Sequence, residues 1–191
     1  MRTEVRRKPF DAVVLAGGGG VRLGGADKAG IVIAGRTILD RVVDALAEAG
    51  TIVVVGPRRR TARPVTWTRE RPPGEGPVHA LRAGLALVRR ETVAVAAADM
   101  PFVSGPVFDR LLGELHAGDG VCVQDEAGRR QPLLAVYRAS ALRAALEALP
   151  STRGASMAAL TSHLTMTAVP EGRAAFDVDT LGDLRQARKV R

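Results

Sequence analysis

The segment that decides the fold covers residues 12–28 and reads AVVLAGGGGVRLGGADK. It begins with an apolar run typical of a buried β-strand and continues as a loop that holds six glycines, Arg22 and Lys28. Strands of an open α/β sheet end at the edge where such folds bind ligands, so this loop would bring backbone N–H groups and two cations to that edge. Lysine is rare, since only Lys8, Lys28 and Lys189 occur among 28 basic residues. A lysine inside the loop indicates a need for its compact ammonium group, and the segment predicts a site for a phosphate chain.

Strand and helix patterns alternate along the rest of the chain. Strand-like apolar runs cover residues 12–16, 52–55, 93–98, 121–124, 133–137 and 164–169. Amphipathic helix patterns lie between them; the first has Thr37 as N-cap with Asp40 three residues on, and Thr180 and Asp183 repeat this spacing before the last. The alternation predicts an α/β fold with a mainly parallel sheet covered on both faces. Residues 118–137 predict a hairpin inserted into that sheet.

Length, composition and charge favour one globular domain with a small ligand. The chain has 191 residues, 46% of them apolar and 25% charged, which is ordinary for a soluble protein. We expect one domain over residues 1–191. The net charge is +8, but the basic residues are scattered and no aromatic residues interleave with them. This pattern argues against nucleic-acid binding and favours an anionic small substrate.

Cysteine content and hydropathy bear on the compartment. Cys122 is the only cysteine, which excludes a disulfide or cysteine–metal framework and is consistent with a reducing compartment. No apolar run approaches the roughly 20 residues that a membrane helix needs. We therefore expect a cytoplasmic protein that does not associate with a membrane.

The glycine loop fits neither of the two commonest phosphate-binding patterns. In a dinucleotide-binding frame that begins at Gly18, the last position is Leu23 rather than a small residue. A Walker A loop requires Gly-Lys-Ser/Thr, whereas Lys28 lies between Asp27 and Ala29. What remains is the pattern L-A-G-G-x3-R-x-G-x2-D-K, in which the glycines can wrap a polyphosphate that two cations neutralise.

Carboxylates form the second set of candidates. Asp99 follows an apolar strand pattern, so it would lie at the same sheet edge as the glycine loop and could hold Mg²⁺ against a phosphate. Asp177 and Asp179 alternate along a short extended segment, which places them on one side of it. Asp179 could join Asp99 at the metal, or both residues of the pair could serve the N-terminus of the last helix. His79 lies near a helix start beside a Pro/Gly loop and could meet a ligand.

Several motifs in one order resemble a known family. The loop that begins with Leu15 and ends with Lys28 resembles the signature of nucleotidyltransferases, and it looks most like the molybdenum cofactor guanylyltransferase branch. Gly76-Pro77, the segment ADMPF at 98–102 and the segment DVDT at 177–180 match further motifs of that family. The resemblance implies a single Rossmann-like three-layer domain of the nucleotide-diphospho-sugar transferase type. It also implies Mg²⁺-dependent transfer of GMP from GTP to molybdopterin-bound molybdenum, with release of pyrophosphate.

The resemblance implies a role for each matched residue. Arg22, Lys28 and Asp99 would be catalytic, and Asp99 would bind Mg²⁺ with Asp179 as helper. Glu70 would accept hydrogen bonds from the guanine edge. The nucleotide would also contact the loop residues Leu15, Ala16, Gly17, Gly18 and Gly19 together with Lys28 and Asp99. Proteins that assemble molybdoenzymes would be partners.

The chain departs from the family pattern at three places. The family usually has two asparagines at the positions of Asp177 and Asp179, and the aspartate form is typical of cytidylyl-transferring relatives. Glu70 replaces a usual aspartate, and His79-Ala80 replaces smaller residues. The alternatives are therefore a nucleotidyltransferase that uses CTP or modifies a small phosphorylated acid or sugar, and a nucleotide-binding partner in molybdoenzyme assembly that performs no catalysis.

Overall fold

The computed structural model describes residues 9–17 and 27–189. Its strands are β1 Phe10–Leu15, β2 Val32–Ile33, β3 Arg36–Thr37, β4 Ile52–Val55, β5 Thr66–Thr68, β6 Thr92–Ala97, β7 Gly120–Gln124, β8 Arg130–Arg138 and β9 Met166–Pro170. Its helices are α1 Ile38–Ala45, α2 Pro77–Leu85, α3 Gly105–Glu114, α4 Ala139–Ala148, α5 Met157–Thr161 and α6 Leu181–Lys189, and a 3-10 turn covers Lys28–Gly30. In the described part of the chain, no helix is both long and apolar enough to cross a membrane.

Seven strands form one sheet in the order β5-β4-β1-β6-β8-β7-β9. β1 pairs in parallel with β4 and β6, β4 with β5, and β7 with β9, whereas β8 is antiparallel to both of its neighbours. β7 and β8 are the predicted hairpin, and β8 lies between β6 and β7. The α/β fold, the mainly parallel sheet and the inserted hairpin are thus confirmed.

Alternate residues of the central strands face two separate cores. On β1, Val14 belongs to the core that includes residues of α1 and α3 on one face of the sheet, whereas Val13 belongs to the core that includes residues of α2, α4 and α5 on the other. Both valines are fully buried. Strands buried on both faces have continuous apolar sequences, so these two layers of helices explain the runs seen in the sequence.

Local sequence signals account for the ends of several elements. Thr37 caps α1, because its Oγ1 accepts a hydrogen bond from the Asp40 N–H at 3.0 Å. In the hairpin turn, the Asp125 carboxylate accepts the N–H groups of Ala127 and Arg129 at 3.0 and 2.8 Å. The sequence patterns missed the edge strand β5, the β2–β3 ribbon and the single-turn helix α5, which are too short to show a period.

Candidate functional site

The carboxyl ends of β1 and β6 form a small cavity at one edge of the sheet. The Ala98 N–H donates to the Leu15 carbonyl at 2.9 Å, which joins the two strand ends. The cavity has a volume of about 150 Å³ and is lined by Leu15, Ala16, Gly17, Asp27, Lys28, Ala29, Ala98 and Asp99. Gly18, Gly19 and Arg22 lie outside the described residues, so their predicted roles stay predictions.

Lys28 joins two of the predicted carboxylates at this edge. Its ammonium group donates a hydrogen bond to Asp179 Oδ1, and Nζ lies 3.7 Å from Asp99 Oδ2. The Val178 N–H donates to the Asp99 carbonyl at 3.0 Å, which attaches the C-terminal segment to the end of β6. The structure thus brings together Lys28, Asp99 and Asp179 from three distant parts of the chain.

Charge and burial shift the titration of this cluster. Burial raises the pKa of Asp99, and the nearby Lys28 only partly opposes that rise. Burial and the charge of Asp179 raise the pKa of Asp177. For Lys28, burial lowers the pKa, but the carboxylates of Asp179, Asp99 and Asp177 together outweigh burial and raise it. The ammonium group therefore stays charged in a site where acidic groups are in excess.

Thr180 and Asp183, not the 177–179 pair, cap the last helix. The Asp183 carboxylate accepts the Thr180 hydroxyl at 2.8 Å and the N–H groups of Thr180 and Asp179 at 2.7 and 3.1 Å, and these bonds lower the pKa of Asp183. The Thr180 hydroxyl in turn accepts the Asp183 N–H at 3.2 Å. Because this capping box satisfies the helix start, the Asp179 carboxylate is available to Lys28.

The predicted metal ligands have a common neighbour but do not form a closed ligand set. Asp99 and Asp179 both approach the Lys28 ammonium group. Among the described residues, no group of three or more His, Cys, Asp or Glu side chains is arranged to hold a metal ion. Magnesium binding at these carboxylates stays a prediction.

Glu70 lies beside the glycine loop with one oxygen unused. The residue is 7% exposed, and its Oε1 accepts the Gly74 N–H at 3.1 Å. Oε2 is buried without a hydrogen-bond partner. A Cβ on Gly17 would lie 3.7 Å from Oε1, so the carboxylate borders the start of the loop. A buried carboxylate oxygen without a donor is costly, and a ligand that brings N–H groups would offset that cost.

His79 does not offer a ring nitrogen to a ligand, contrary to the expectation from sequence. Nδ1 lies 2.9 Å from Thr152 Oγ1, and Nε2 lies 3.0 Å from the Arg71 carbonyl oxygen. Because a carbonyl only accepts, Nε2 carries a proton, and in the neutral ring Nδ1 accepts from the Thr152 hydroxyl. The buried imidazole therefore braces the loop that follows Glu70.

Arg59 contacts the site through Asp27, although the sequence analysis counted it only among the scattered basic residues. Its guanidinium group donates to both carboxylate oxygens of Asp27, the residue before Lys28. It also donates to the carbonyls of Pro57 and Ala16 at 3.0 and 3.3 Å. Such a fork fixes the end of the glycine loop to the end of β4. The sequence could have indicated this role, because Arg59 follows strand β4 closely and so lies near the edge of the sheet where such folds bind ligands.

An open α/β sheet that carries a glycine segment, a lysine and carboxylates at one edge is typical of nucleotide-binding proteins. Residues 12–166 match the family model described as the MobA-like NTP transferase domain. The chain belongs to this family.

Named relatives agree with that assignment. The chain is 30% identical over 194 residues to a probable molybdenum cofactor guanylyltransferase of Natronomonas pharaonis, with 93% of this chain and 96% of the relative covered. It is 33% identical over 146 residues to a protein of the same name from Methanosarcina acetivorans, covering 69% of this chain and 65% of that relative. The match therefore spans about two thirds of the Methanosarcina protein.

A solved structure has the same fold. The crystal structure of molybdopterin-guanine dinucleotide biosynthesis protein A from Archaeoglobus fulgidus superposes with a TM-score of 0.74 at 24% identity. The superposition covers 94% of this chain and 97% of that protein. At this identity the likeness establishes the three-layer fold, which confirms the fold class expected from the sequence.

Proposed function

We propose that this protein transfers GMP from GTP to a molybdopterin acceptor and releases pyrophosphate. The observation that carries the proposal is the convergence of Lys28, Asp99 and Asp179 at the end of the glycine segment. The names of the relatives from Natronomonas and Methanosarcina support the choice of nucleotide and acceptor. The cytoplasm, which holds the cell's GTP, is the expected compartment, and molybdoenzyme assembly proteins are the expected partners.

The reaction requires positioning and charge neutralisation rather than a protein nucleophile. A phosphate oxygen of the acceptor attacks the α-phosphorus of GTP, the new P–O bond forms, and the bond to the β-phosphate bridge oxygen breaks. The electron pair leaves with pyrophosphate. Lys28 stabilises the negative charge on the transferring and leaving phosphates, as other ammonium groups do in phosphoryl transfer.

The acidic excess around Lys28 fits a divalent cation. Asp99 and Asp179 supply the hard carboxylate oxygens that Mg²⁺ prefers, and Asp177 adds negative charge nearby. Bound Mg²⁺ would neutralise phosphate oxygens and orient the triphosphate. The role of the chain's own residues is to present these oxygens while the hydrogen bond from Val178 holds the end of β6 in place.

Glu70 is the proposed guanine-selecting residue. Guanine presents a ring N–H and an amino group side by side, and a carboxylate can accept both. The unpartnered Oε2 of Glu70 is a buried acceptor at the border of the glycine loop, which supports this role. Cytosine offers no matching pair, because its ring nitrogen is itself an acceptor. CTP stays the alternative, since Asp177 and Asp179 stand where cytidylyl-transferring relatives typically have aspartates.

A pyrophosphate-release assay tests the proposal. The protein is incubated with Mg²⁺ and each of four nucleoside triphosphates, with and without molybdopterin. We expect release that requires both GTP and molybdopterin. Release with CTP instead of GTP would support the alternative, and nucleotide binding without any release would refute the enzymatic proposal.

A further inference from the structure

A groove rich in arginine lies at the edge of the sheet that β5 forms. It has a volume of about 660 Å³, and its walls are the segment 58–65 and Trp67 on β5. We call it the arginine groove. None of the residues that line it also lines the cavity at the glycine segment. The arginine groove is therefore a surface distinct from the one that the proposed reaction uses.

Helix α1 holds the loop that carries these arginines. The Ala62 N–H donates to Asp40 Oδ1 at 2.8 Å, and Arg63 Nε donates to Asp44 Oδ1 at 2.6 Å. Both aspartates belong to α1. A surface that is fixed before a partner arrives loses less conformational entropy on binding than a flexible one. The arginine groove is thus preorganised for binding.

Two guanidinium groups of the groove remain for an external anion. Arg59 and Arg63 each pair with an aspartate of the chain. Arg58 and Arg60 are exposed, and the described part of the chain gives neither of them a carboxylate at ion-pair distance. The planar guanidinium group can bind a carboxylate through two parallel hydrogen bonds. Arg58 and Arg60 therefore favour a partner that brings its own carboxylates.

Strand β5 presents main-chain groups beside these arginines. It is the edge strand of the sheet and pairs with β4 on one side. The Thr68 carbonyl accepts the Gly56 N–H at 3.0 Å, so it points toward β4. Because the polar groups of successive residues alternate in direction along a strand, the N–H and C=O groups of Trp67 point to the outer edge. An extended peptide can pair with such an edge.

The same features disfavour other occupants of the groove. Single-stranded nucleic acid stacks its bases on several aromatic side chains, and Trp67 is the one aromatic residue among the described residues that line the groove. A second copy of the chain, paired edge to edge, would bring its own arginines against these, and like charges repel. A peptide with carboxylates matches both the guanidinium groups and the strand edge.

We propose that the arginine groove is a docking surface for an extended acidic segment of a partner protein. The segment pairs with the outer edge of β5 while its carboxylates bind Arg58 and Arg60. Docking of this kind goes beyond the proposed transfer of GMP, and it does not depend on which nucleotide the protein uses.

Trp67 allows docking to be measured directly, because the chain has no other tryptophan. Its fluorescence is followed during titration with a synthetic peptide of about ten residues, the upper length of a typical strand, in which glutamate alternates with valine or threonine. We expect saturable binding that weakens as salt is added, since salt screens exposed ion pairs. The same peptide with glutamine in place of glutamate should bind about tenfold more weakly, because its ion pairs are lost. A glutamate peptide that is methylated on its backbone nitrogens should also bind several-fold more weakly, because it cannot donate to the strand edge.

A double variant, Arg58→Gln with Arg60→Gln, tests the arginines. It should bind the glutamate peptide about tenfold more weakly, with a smaller dependence on salt, and should keep wild-type pyrophosphate release. The matched control replaces two exposed arginines of α6, Arg185→Gln with Arg188→Gln, and should keep wild-type affinity. Both variants should unfold at the wild-type urea concentration, because all four side chains are exposed.

Several outcomes would overturn the docking proposal. They are no peptide binding by the wild type, equal affinity for the glutamate peptide and either altered peptide, and unchanged affinity in the Arg58 and Arg60 double variant. Tighter binding of oligothymidylate or of phosphatidylserine vesicles would assign the groove to nucleic acid or to a membrane instead. Self-association of the wild type that the double variant abolishes would assign it to a second copy.

The docking surface and the proposed function can fail separately. If the double variant binds the peptide normally but loses pyrophosphate release, Arg58 and Arg60 serve the nucleotide and the docking proposal fails. If peptide binding depends on these arginines but no nucleotide yields pyrophosphate, the proposed function fails and the docking surface stands.

Discussion

Replacing Lys28 with alanine is expected to slow pyrophosphate release from GTP by about 10²–10³-fold, the usual cost of one preorganised electrostatic contact. The Lys28 ammonium group is the cation that the described part of the site holds between the glycine segment and two carboxylates. Alanine removes this positive charge, so the carboxylates of Asp99 and Asp179 lose their ion pair and the phosphates lose a cation that would offset their charge.

The size of the effect follows from the geometry. Nζ lies 3.7 Å from a carboxylate oxygen of Asp99. At an effective dielectric constant of about 20, two unit charges at such a distance interact by about 4 kcal/mol. A phosphate oxygen that replaces one carboxylate at a similar separation would gain a comparable attraction, reduced by the partial exposure of Lys28 to water. A loss of about 3–4 kcal/mol in the transition state corresponds to the expected rate reduction.

The pH profile gives a second readout of the same change. Burial already raises the pKa of Asp99, and Lys28 lowers it. In the proposed reaction Asp99 must be ionised to hold a cation, so we expect activity to fall as pH drops through its pKa. Removal of Lys28 raises that pKa further, and the acidic limb of kcat/KM should therefore move to higher pH.

The assay compares pyrophosphate release and its pH dependence for wild type, Lys28→Ala and the control Lys189→Ala, which removes an exposed lysine at the end of α6. The control should match wild type. A Lys28→Ala variant within about threefold of wild type, with an unmoved acidic limb, would refute the assignment of Lys28 as the phosphate-stabilising cation.

Four further variants test other parts of the structure. Glu70→Gln should reduce the preference for GTP over CTP in kcat/KM by about 10–100-fold, because one acceptor and its charge are lost; an unchanged ratio would remove Glu70 from base recognition. Asp177→Asn should move the acidic limb to lower pH, since the charge of Asp177 raises the pKa of Asp99; an upward shift would contradict this coupling. Thr152→Val should raise the KM for GTP several-fold with little change in kcat, because His79 loses the hydroxyl that orients it; equal KM values would make this brace irrelevant to the nucleotide. Asp11→Asn should lower the free energy of unfolding by about 1–3 kcal/mol in urea titrations, since the buried carboxylate accepts three backbone N–H groups; a change below about 0.5 kcal/mol would contradict that estimate.

Local sequence patterns predicted the elements whose signals are short-range. Short-range signals of this kind depend on neighbours within about four positions, so they can be recognised before the fold is known. Examples are the apolar runs of β1, β4 and β6 and the capping residues Thr37 and Thr180. The β7–β8 hairpin could be predicted from the sequence for the same reason. Edge strand β5 was missed because its three residues, Thr66–Thr68, show no period and are ordered by pairing with β4.

By itself, the sequence determined the α/β class, the glycine loop and the chemical types of the site residues. The tertiary structure alone decided their partners. Lys28 and Asp179 are 151 positions apart, and they meet because the chain returns from β9 to the end of β6, where Val178 bonds to Asp99. Arg59 reaches Asp27 because β4 lies next to β1. The sequence gives residue types and the spacing of apolar residues directly. Contacts across a sheet depend on strand order, which that spacing does not encode.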